Sequence, residues 1–391
     1  MDAILSYAVG AAVVASLTTN LMVPPVGRLA VMVRAMDPPG ERKLQTGSVP
    51  RLGGLAIAIG LALGGGLAAV LLWGRLGTAV SRNELLALAF GTMLVFLVGI
   101  VDDLVGVSAA KKLLFQLVAA WPLVQAGWAF EVLRLPLMGE VHLGLLAWPV
   151  SILWIVGVTN AINLIDGLDG LASGVVAIIS VSFLVYAVLQ GNPGTVILMA
   201  AVAGSCLGFL RHNWEPAKVF MGDSGSLTLG FLLAATSVHS SLKAPAAVAI
   251  LVPILALGVP VMDTLLVMAV RFLDRPKGAL TGRFLRMFNA DRQHLHHILA
   301  NFGARRSRIV GVIYGIVLAF CALALLIAVT GATTLGLVLV ILEFTIILGM
   351  RQRGLAMEAG RLARLQREEI KTEVLGITPE TRSHGVRRIS R

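Results

Sequence analysis

Charge is what this chain is short of. Only 14% of its 391 residues are Asp, Glu, Lys or Arg, where soluble domains carry about a quarter. A row of water-soluble domains is excluded on that ground. Cysteine is nearly absent. Cys206 and Cys321 are the only two, and both sit inside apolar runs, where a thiol packs as a small hydrophobe. That leaves no disulfide framework and no cysteine-built metal site. The opening residues, MDAILSYAVG, lack the basic stretch that begins a cleaved secretory signal. Internal repeats are also missing, and most acids avoid the middles of the apolar runs. A secondary transporter would usually show two related halves and ionisable groups near mid-membrane. Asp263 is the exception, about two turns inside its run.

What is present is apolar length. The chain is 57% hydrophobic, with a mean hydropathy of +0.87. Runs of about 17–25 residues are long enough to cross roughly 30 Å of hydrocarbon as helix. Eleven spans are expected, near 4–24, 53–74, 84–101, 109–127, 145–164, 170–190, 194–211, 225–241, 245–271, 308–330 and 333–350. The first basic residue, Arg28, follows the first span, which places the N-terminus outside and, after eleven crossings, the C-terminus in the cytoplasm. Of the 32 Lys and Arg, only Arg75, Arg82, Arg134 and Lys243 then fall outside. The net charge of +11 is accounted for by inner loops facing anionic lipid, so no nucleic acid partner is expected. The expected fold is therefore an all-α polytopic membrane protein. Residues 1–350 form the catalytic bundle, and 351–391 form a charged cytoplasmic tail, helical at first and then disordered. Residues 130–144 read as a small periplasmic β-hairpin around Met138-Gly139.

The ten aspartates carry the functional signal. Eight of them (Asp37, Asp102, Asp103, Asp166, Asp169, Asp223, Asp274 and Asp291) fall at or near the inner ends of spans. Asp102 and Asp103 end GTMLVFLVGIVDD, and two adjacent carboxylates repel unless a cation or shared proton relieves them. Lys112 and Gln116 follow on one helical face. In NAINLIDGLDGLASG, the residues Asn160, Asn163 and Asp166 form a polar stripe in an apolar helix, a costly feature that marks a site. Asp223, Ser224, Gly225 and Ser226 lie at the start of the eighth span. Free N–H groups there favour an anion, and a plain N-cap is the alternative. The longest inner loop holds Arg292, His294, His296 and His297. Their H-x-H-H spacing is not the i, i+4 pair of a helical zinc site, and phosphate contact is the favoured reading. The first inner loop, DPPGERKLQTGSVPRLGG, supplies Arg42, Lys43 and Arg51, which ordinary positive-inside bias would also explain.

In order and in topology, these motifs resemble the polyprenyl-phosphate N-acetylhexosamine-1-phosphate transferases. These form the WecA-type branch of a superfamily shared with the phospho-MurNAc-pentapeptide transferases. The resemblance covers about residues 10–350. It rests on D-x-P-x-x-R-K…P-R-x-G-G (37–54), D-D…K-x-x-x-Q (102–116), N-x-x-N-x-x-D-G-L-D-G (160–170), G-D-S-G-S (222–226) and H-x-H-H (294–297). It implies a UDP-N-acetylhexosamine donor, UDP-GlcNAc by default, an undecaprenyl or other polyprenyl phosphate acceptor, and Mg²⁺, with Mn²⁺ as a substitute. Asp223 matches the family's metal aspartate. Asp102 and Asp103 match a pair assigned to metal binding, acceptor positioning or proton removal. Asn163, Asp166 and Asp169 match nucleotide-binding positions, and Arg42, Lys43, Lys112, Arg292 and the three histidines match groups that hold substrate phosphates. Gln45 departs from the pattern, since relatives often carry His there. Leu295 interrupts the three consecutive histidines of the phospho-MurNAc-pentapeptide branch, which is the runner-up. The bacterial inner membrane, with the site facing the cytoplasm, is the implied location. The oligomeric state is left open, a homodimer being one option.

Overall fold

The computed structural model describes residues 2–37, 48–71, 80–135, 139–243, 250–273 and 305–374. The described residues are almost wholly helical. In chain order the helices are α1 (Asp2–Met32), α2 (Gly53–Leu61), α3 (Leu67–Leu71), α4 (Arg82–Val105), α5 (Ala109–Gln125), α6 (Ala147–Ile165) and α7 (Leu171–Leu189). They continue as α8 (Pro193–Asn213), α9 (Gly222–Lys243), α10 (Leu251–Ala256), α11 (Gly258–Leu273), α12 (Arg306–Thr330) and α13 (Thr333–Val374). A π-helical turn, Ala62–Gly66, joins α2 to α3.

Local chemistry sets the helix ends. Ser81 and Glu84 close a capping box at the start of α4, with Glu84 N–H donating to Ser81 Oγ at 3.2 Å and Ser81 N–H to Glu84 Oε2 at 2.6 Å. Asn192 caps α8, and Pro193 occupies its first turn. Gly106 ends α4 and Gly331 ends α12, both with positive φ.

Eight helices, including the α2–α3 run, are long and apolar enough to cross a membrane. The other three expected spans are also helical, but each departs from a plain apolar rod. α5 has only 17 residues. α9 has 22 but is dotted with Ser, Thr and His. The expected span 245–271 holds two helices, broken at Leu257, of 6 and 16 residues. The polarity of α9 has a packing reason. It is buried along almost its whole length, between α4, α6 and α2, so its side chains meet protein in place of lipid.

α1 packs along α8, and α8 along α7. The α1–α8 contact is close because α8 carries Gly204 and Gly208 four residues apart. A Cβ on Gly204 would sit 2.2 Å from the Ala12 carbonyl oxygen, and one on Gly208 would sit 2.2 Å from that of Ser16. Without a hydrophobic drive between helices in lipid, such small-residue approach supplies the packing.

The hairpin lies where expected. Strands β1 (Met36–Asp37) and β2 (Val49–Pro50) pair briefly near the end of α1, while β3 (Val132–Leu135) pairs antiparallel with β4 (Gly139–His142), Val132 opposite His142. Its base is tied to the bundle by Trp128 Nε1 donating to Glu84 Oε1 at 2.9 Å and Phe130 N–H donating to Ser151 Oγ at 2.8 Å. At the other end of the chain, α13 runs 42 residues without a break, so the last span and the first part of the charged tail are one rod. The disorder expected at the end of the tail falls in 375–391, outside the described residues.

The glycine contact yields a stability test. Gly204→Val or Gly208→Val forces α1 away from α8 and should cost about 1–3 kcal/mol, read as a lower melting temperature in detergent. Gly157→Ala, with open space around it, should leave melting unchanged. Equal melting of all three variants would contradict the close-packed interface.

Candidate active site

Five helix ends and one loop converge at one end of the bundle. α4 brings Asp102 and Asp103 in its last turns. α5 brings Lys112 in its first turn and Gln116 in its second. α6 brings Asn160 and Asn163, with Asp166 as its C-cap, and the turn to α7 carries Asp169. α9 opens with Gly222, Asp223 and Ser224. The Pro50–Gly54 segment crosses beneath them, and its backbone pairs with 220–221. Phe220 N–H donates to the Pro50 carbonyl at 2.8 Å, and the N–H groups of Gly53 and Gly54 donate to the carbonyls of Phe220 and Met221 at 2.9 and 2.7 Å.

Lys112 is the centre of charge. Its ammonium donates to Asp223 Oδ2 at 2.7 Å and to Asp102 Oδ2 at 3.4 Å. Both carboxylates meet the same ammonium, which offsets their mutual repulsion. Asp102 Oδ1 also accepts the Val107 N–H at 2.5 Å. Asn163 donates to Ser226 Oγ at 2.8 Å and contacts Asp223. Below it, Asn160 and Gln116 exchange hydrogen bonds at 2.5 and 3.4 Å, which pairs two polar groups that lipid would otherwise penalise.

Asp103 faces the other way. Its Oδ1 accepts the Asp223 N–H at 2.9 Å, and its Oδ2 accepts the Ser224 N–H at 3.0 Å and the Ser224 hydroxyl at 2.6 Å. Two amides at the start of α9, where the sequence left an anion site or a plain N-cap open, are therefore occupied by the chain's own carboxylate. Gly222 has φ +72°, and a Cβ there would lie 2.6 Å from both Asp103 carboxylate oxygens. Glycine is required by conformation and by space alike. Gly54 and Gly99 make similar room: their Cβ positions would lie 2.1 Å from Gly225 N and 2.5 Å from Ser224 Cα.

Asp166 is crowded by charge. Loss of hydration and the carboxylates of Asp223, Asp103 and Asp169 push it up to about 7. Asp169 is committed to structure, accepting the Ala217 N–H at 2.9 Å. The loop after α8 is also held by Asn213, which accepts from Gly170 N–H at 3.1 Å and donates to the Val219 carbonyl at 3.0 Å.

Asp102, Asp103, Lys112, Asn163, Asp166 and Asp223 thus meet at one site, and Asp169 braces its edge. Arg42, Lys43, Arg292, His294, His296 and His297 lie outside the described residues. Arg51, read from sequence only as one more cation, proves central. Its guanidinium donates to the main-chain carbonyls of Asp102 at 2.8 Å and Asp103 at 3.2 Å. Its signal was its place in P-R-x-G-G, between a strand and a glycine pair. Asn213 carried no comparable signal, since its partners are 40 or more residues away or across a loop.

Residues 85–241 match the model of glycosyl transferase family 4. A protein of Bacillus subtilis (strain 168) named "Probable undecaprenyl-phosphate N-acetylglucosaminyl 1-phosphate transferase" is 38% identical over 305 residues, 77% of this chain and 80% of that one. The chain belongs to the polyprenyl-phosphate N-acetylhexosamine-1-phosphate transferase superfamily. Within this superfamily, a decaprenyl-phosphate N-acetylglucosaminephosphotransferase of Mycobacterium leprae (strain TN) is 35% identical over 377 residues, 88% of this chain and 89% of its own length. A phospho-N-acetylmuramoyl-pentapeptide-transferase of Desulforamulus reducens is 33% identical over 286 residues, 68% of this chain and 79% of its own. Both branches of the superfamily are therefore represented among relatives, and the chain is a multi-pass membrane transferase of their reaction type.

The raised pKa of Asp166, due first to lost hydration and then to the carboxylates around it, can be tested without substrate. Its folded pKa lies above the ordinary carboxylate value, so the folded state holds the proton more tightly than the unfolded state. Ionised Asp166 therefore costs stability as pH rises from about 4 through about 7. In EDTA, Asp166→Asn should melt a few degrees above the unsubstituted protein at pH 8, with the difference shrinking toward pH 5. An equal or lower melting temperature at pH 8 would contradict the raised pKa.

Proposed function

We propose that this transferase moves N-acetylhexosamine 1-phosphate, most specifically GlcNAc-1-phosphate, from a UDP-sugar to undecaprenyl or another polyprenyl phosphate. UMP is released and a lipid-linked glycan is begun. The carrying observation is Lys112, an ammonium placed between Asp223 and Asp102 at the meeting of α4, α5 and α9. The reaction joins two anions: an oxygen of the lipid phosphate attacks the sugar-bearing phosphorus, its bond to the uridylyl phosphate breaks, and UMP departs. Little covalent chemistry is asked of the protein, and positive charge and alignment lower the barrier. Lys112 can turn from its carboxylates to a phosphate oxygen within the same pocket. Asp102, on the neighbouring helix end, is placed to hold the attacking phosphate or take its proton. Asn163, next to Asp223, offers an amide to the donor.

Mg²⁺ is part of the proposal. Among the described residues no three His, Cys, Asp or Glu side chains are grouped to hold a metal ion. Magnesium does not require such a group, because it is commonly bound by one or two carboxylates and completed by phosphate oxygens and water. Asp223 and Asp102 fit that donor set. When bound, the ion would offset charge on the diphosphate and on departing UMP.

GlcNAc is preferred over the MurNAc-pentapeptide on two grounds. Leu295 breaks the histidine run of the latter branch, and the relatives aligned over most of this chain in Bacillus and Mycobacterium carry N-acetylglucosamine names. We place the site on the cytoplasmic side of the bacterial inner membrane, in an eleven-span bundle with its N-terminus outside and the β3–β4 hairpin periplasmic.

With purified enzyme, undecaprenyl phosphate and Mg²⁺, UMP should be released from UDP-GlcNAc and not from UDP-MurNAc-pentapeptide. EDTA should stop it, and Asp223→Asn should lower kcat by about 100-fold or more. Release only from the pentapeptide donor would transfer the chain to the other branch. Full activity of Asp223→Asn would remove that carboxylate from the site. For topology, a reporter active only in the periplasm should be silent after Arg391 and active when inserted after Gly139; the reverse pattern would invert the bundle.

A further inference from the structure

Asp102 and Asp103 are adjacent in sequence and similar in chemistry, but the fold uses them differently. The Asp103 side chain is 1% exposed. A carboxylate has about four lone-pair positions. Three of those on Asp103 accept hydrogen bonds of 2.6–3.0 Å from Asp223 and Ser224. The remaining position on Oδ1 has Arg51 Nε at 3.8 Å. Arg51 also holds the Asp102 and Asp103 carbonyls in the last turn of α4, the first of which also accepts the Gly106 N–H at 2.9 Å. One residue thus closes two helix ends, its carbonyl through Arg51 and its carboxylate through the amides of α9. A magnesium ion coordinates at about 2.0–2.1 Å in near-octahedral geometry. To reach Asp103 it would have to displace either one of the three bonds that fix the start of α9 or the Arg51 guanidinium. Asp102 holds a backbone amide through Oδ1 alone, that of Val107 at 2.5 Å, and Asp102 and Asp223 each turn Oδ2 to the single ammonium of Lys112.

We propose that Asp103, together with Arg51, is a positioning residue that holds Asp223 against Lys112 and is not a ligand of the divalent cation. The proposal rests on the transferase reading above for what Asp223 does. The anchor itself is a statement about α4 and α9. Gly222, Gly99 and Gly54 belong to the same device, because a Cβ at Gly222 would meet the Asp103 carboxylate and one at Gly99 or Gly54 would meet residues 223–225 at the start of α9.

The first test is hydrogen exchange of the full-length protein in nanodiscs, without substrate or metal. In Asp103→Asn, and in Arg51→Ala, the amides of Asp223 and Ser224 should exchange at least about tenfold faster, because one acceptor oxygen and the charge, or the brace, are gone. Asp102→Asn should leave them unchanged. This readout is independent of turnover. If the protein released no UMP at all, the transferase reading would fail while exchange still decided the anchor. The second test is rescue by a thiophilic metal. Asp223→Cys should regain UMP release with Cd²⁺ over its rate with Mg²⁺, while Asp103→Cys should not. Should Asp103→Cys fail to fold, the near-isosteric Asp103→Asn and Arg51→Lys carry the test. Both should lower kcat while leaving the KM for UDP-GlcNAc within about threefold, the pattern of lost alignment. Unchanged exchange in Asp103→Asn, or Cd²⁺-dependent recovery of Asp103→Cys, would overturn the proposal.

Discussion

A helix that begins inside a membrane protein must find partners for amides that its own first turn cannot satisfy. In α9 that partner is the carboxylate of Asp103, which takes the N–H groups of Asp223 and Ser224. Near the end of α4, Arg51 takes the carbonyls of Asp102 and Asp103. The two arrangements share one residue. Because Asp103 is the last but two of α4, the end of that helix and the start of α9 cannot move independently.

The rest of the site follows from this junction. With the start of α9 fixed, Asp223 projects to the ammonium of Lys112, and Asp102 reaches the same ammonium from the neighbouring turn. Close helix approach is possible because glycine stands at 54, 99 and 222. Polar residues along α9 are affordable since neighbouring helices, and not lipid, surround it. A pocket rich in carboxylates with a central ammonium suits two phosphate-bearing substrates and a small hard cation better than it suits an apolar ligand.

Much of this was legible in the sequence, for identifiable reasons. Apolar run length marks a helix whatever its neighbours are, so helices occupy every expected span among the described residues. Carboxylates at the ends of such runs stand out because the runs themselves are so poor in charge. The Asn160–Asn163–Asp166 stripe was visible through helical spacing. What escaped depends on contacts distant in sequence. Arg51 looked like ordinary loop charge, because its partners lie 51 and 52 residues away. Asp169 matched a nucleotide-binding position but turns its Oδ2 to the Ala217 amide. The start of α9 read as an anion site or a plain N-cap, because nothing local shows that Asp103 takes its first amides. The break at Leu257 was hidden by continuous apolar sequence.

The account's central claim is that substrate phosphates and the cation meet at Lys112 and Asp223, beside an anchored α9. A cryo-EM structure of the protein with UDP-GlcNAc and Mg²⁺ tests this most directly. The account predicts the diphosphate against the Lys112 ammonium, the ion on Asp223, and Asp103 still bonded to the α9 amides. A diphosphate bound at the opposite end of the bundle, or one that leaves the Lys112–Asp223 pair intact and remote, would contradict it.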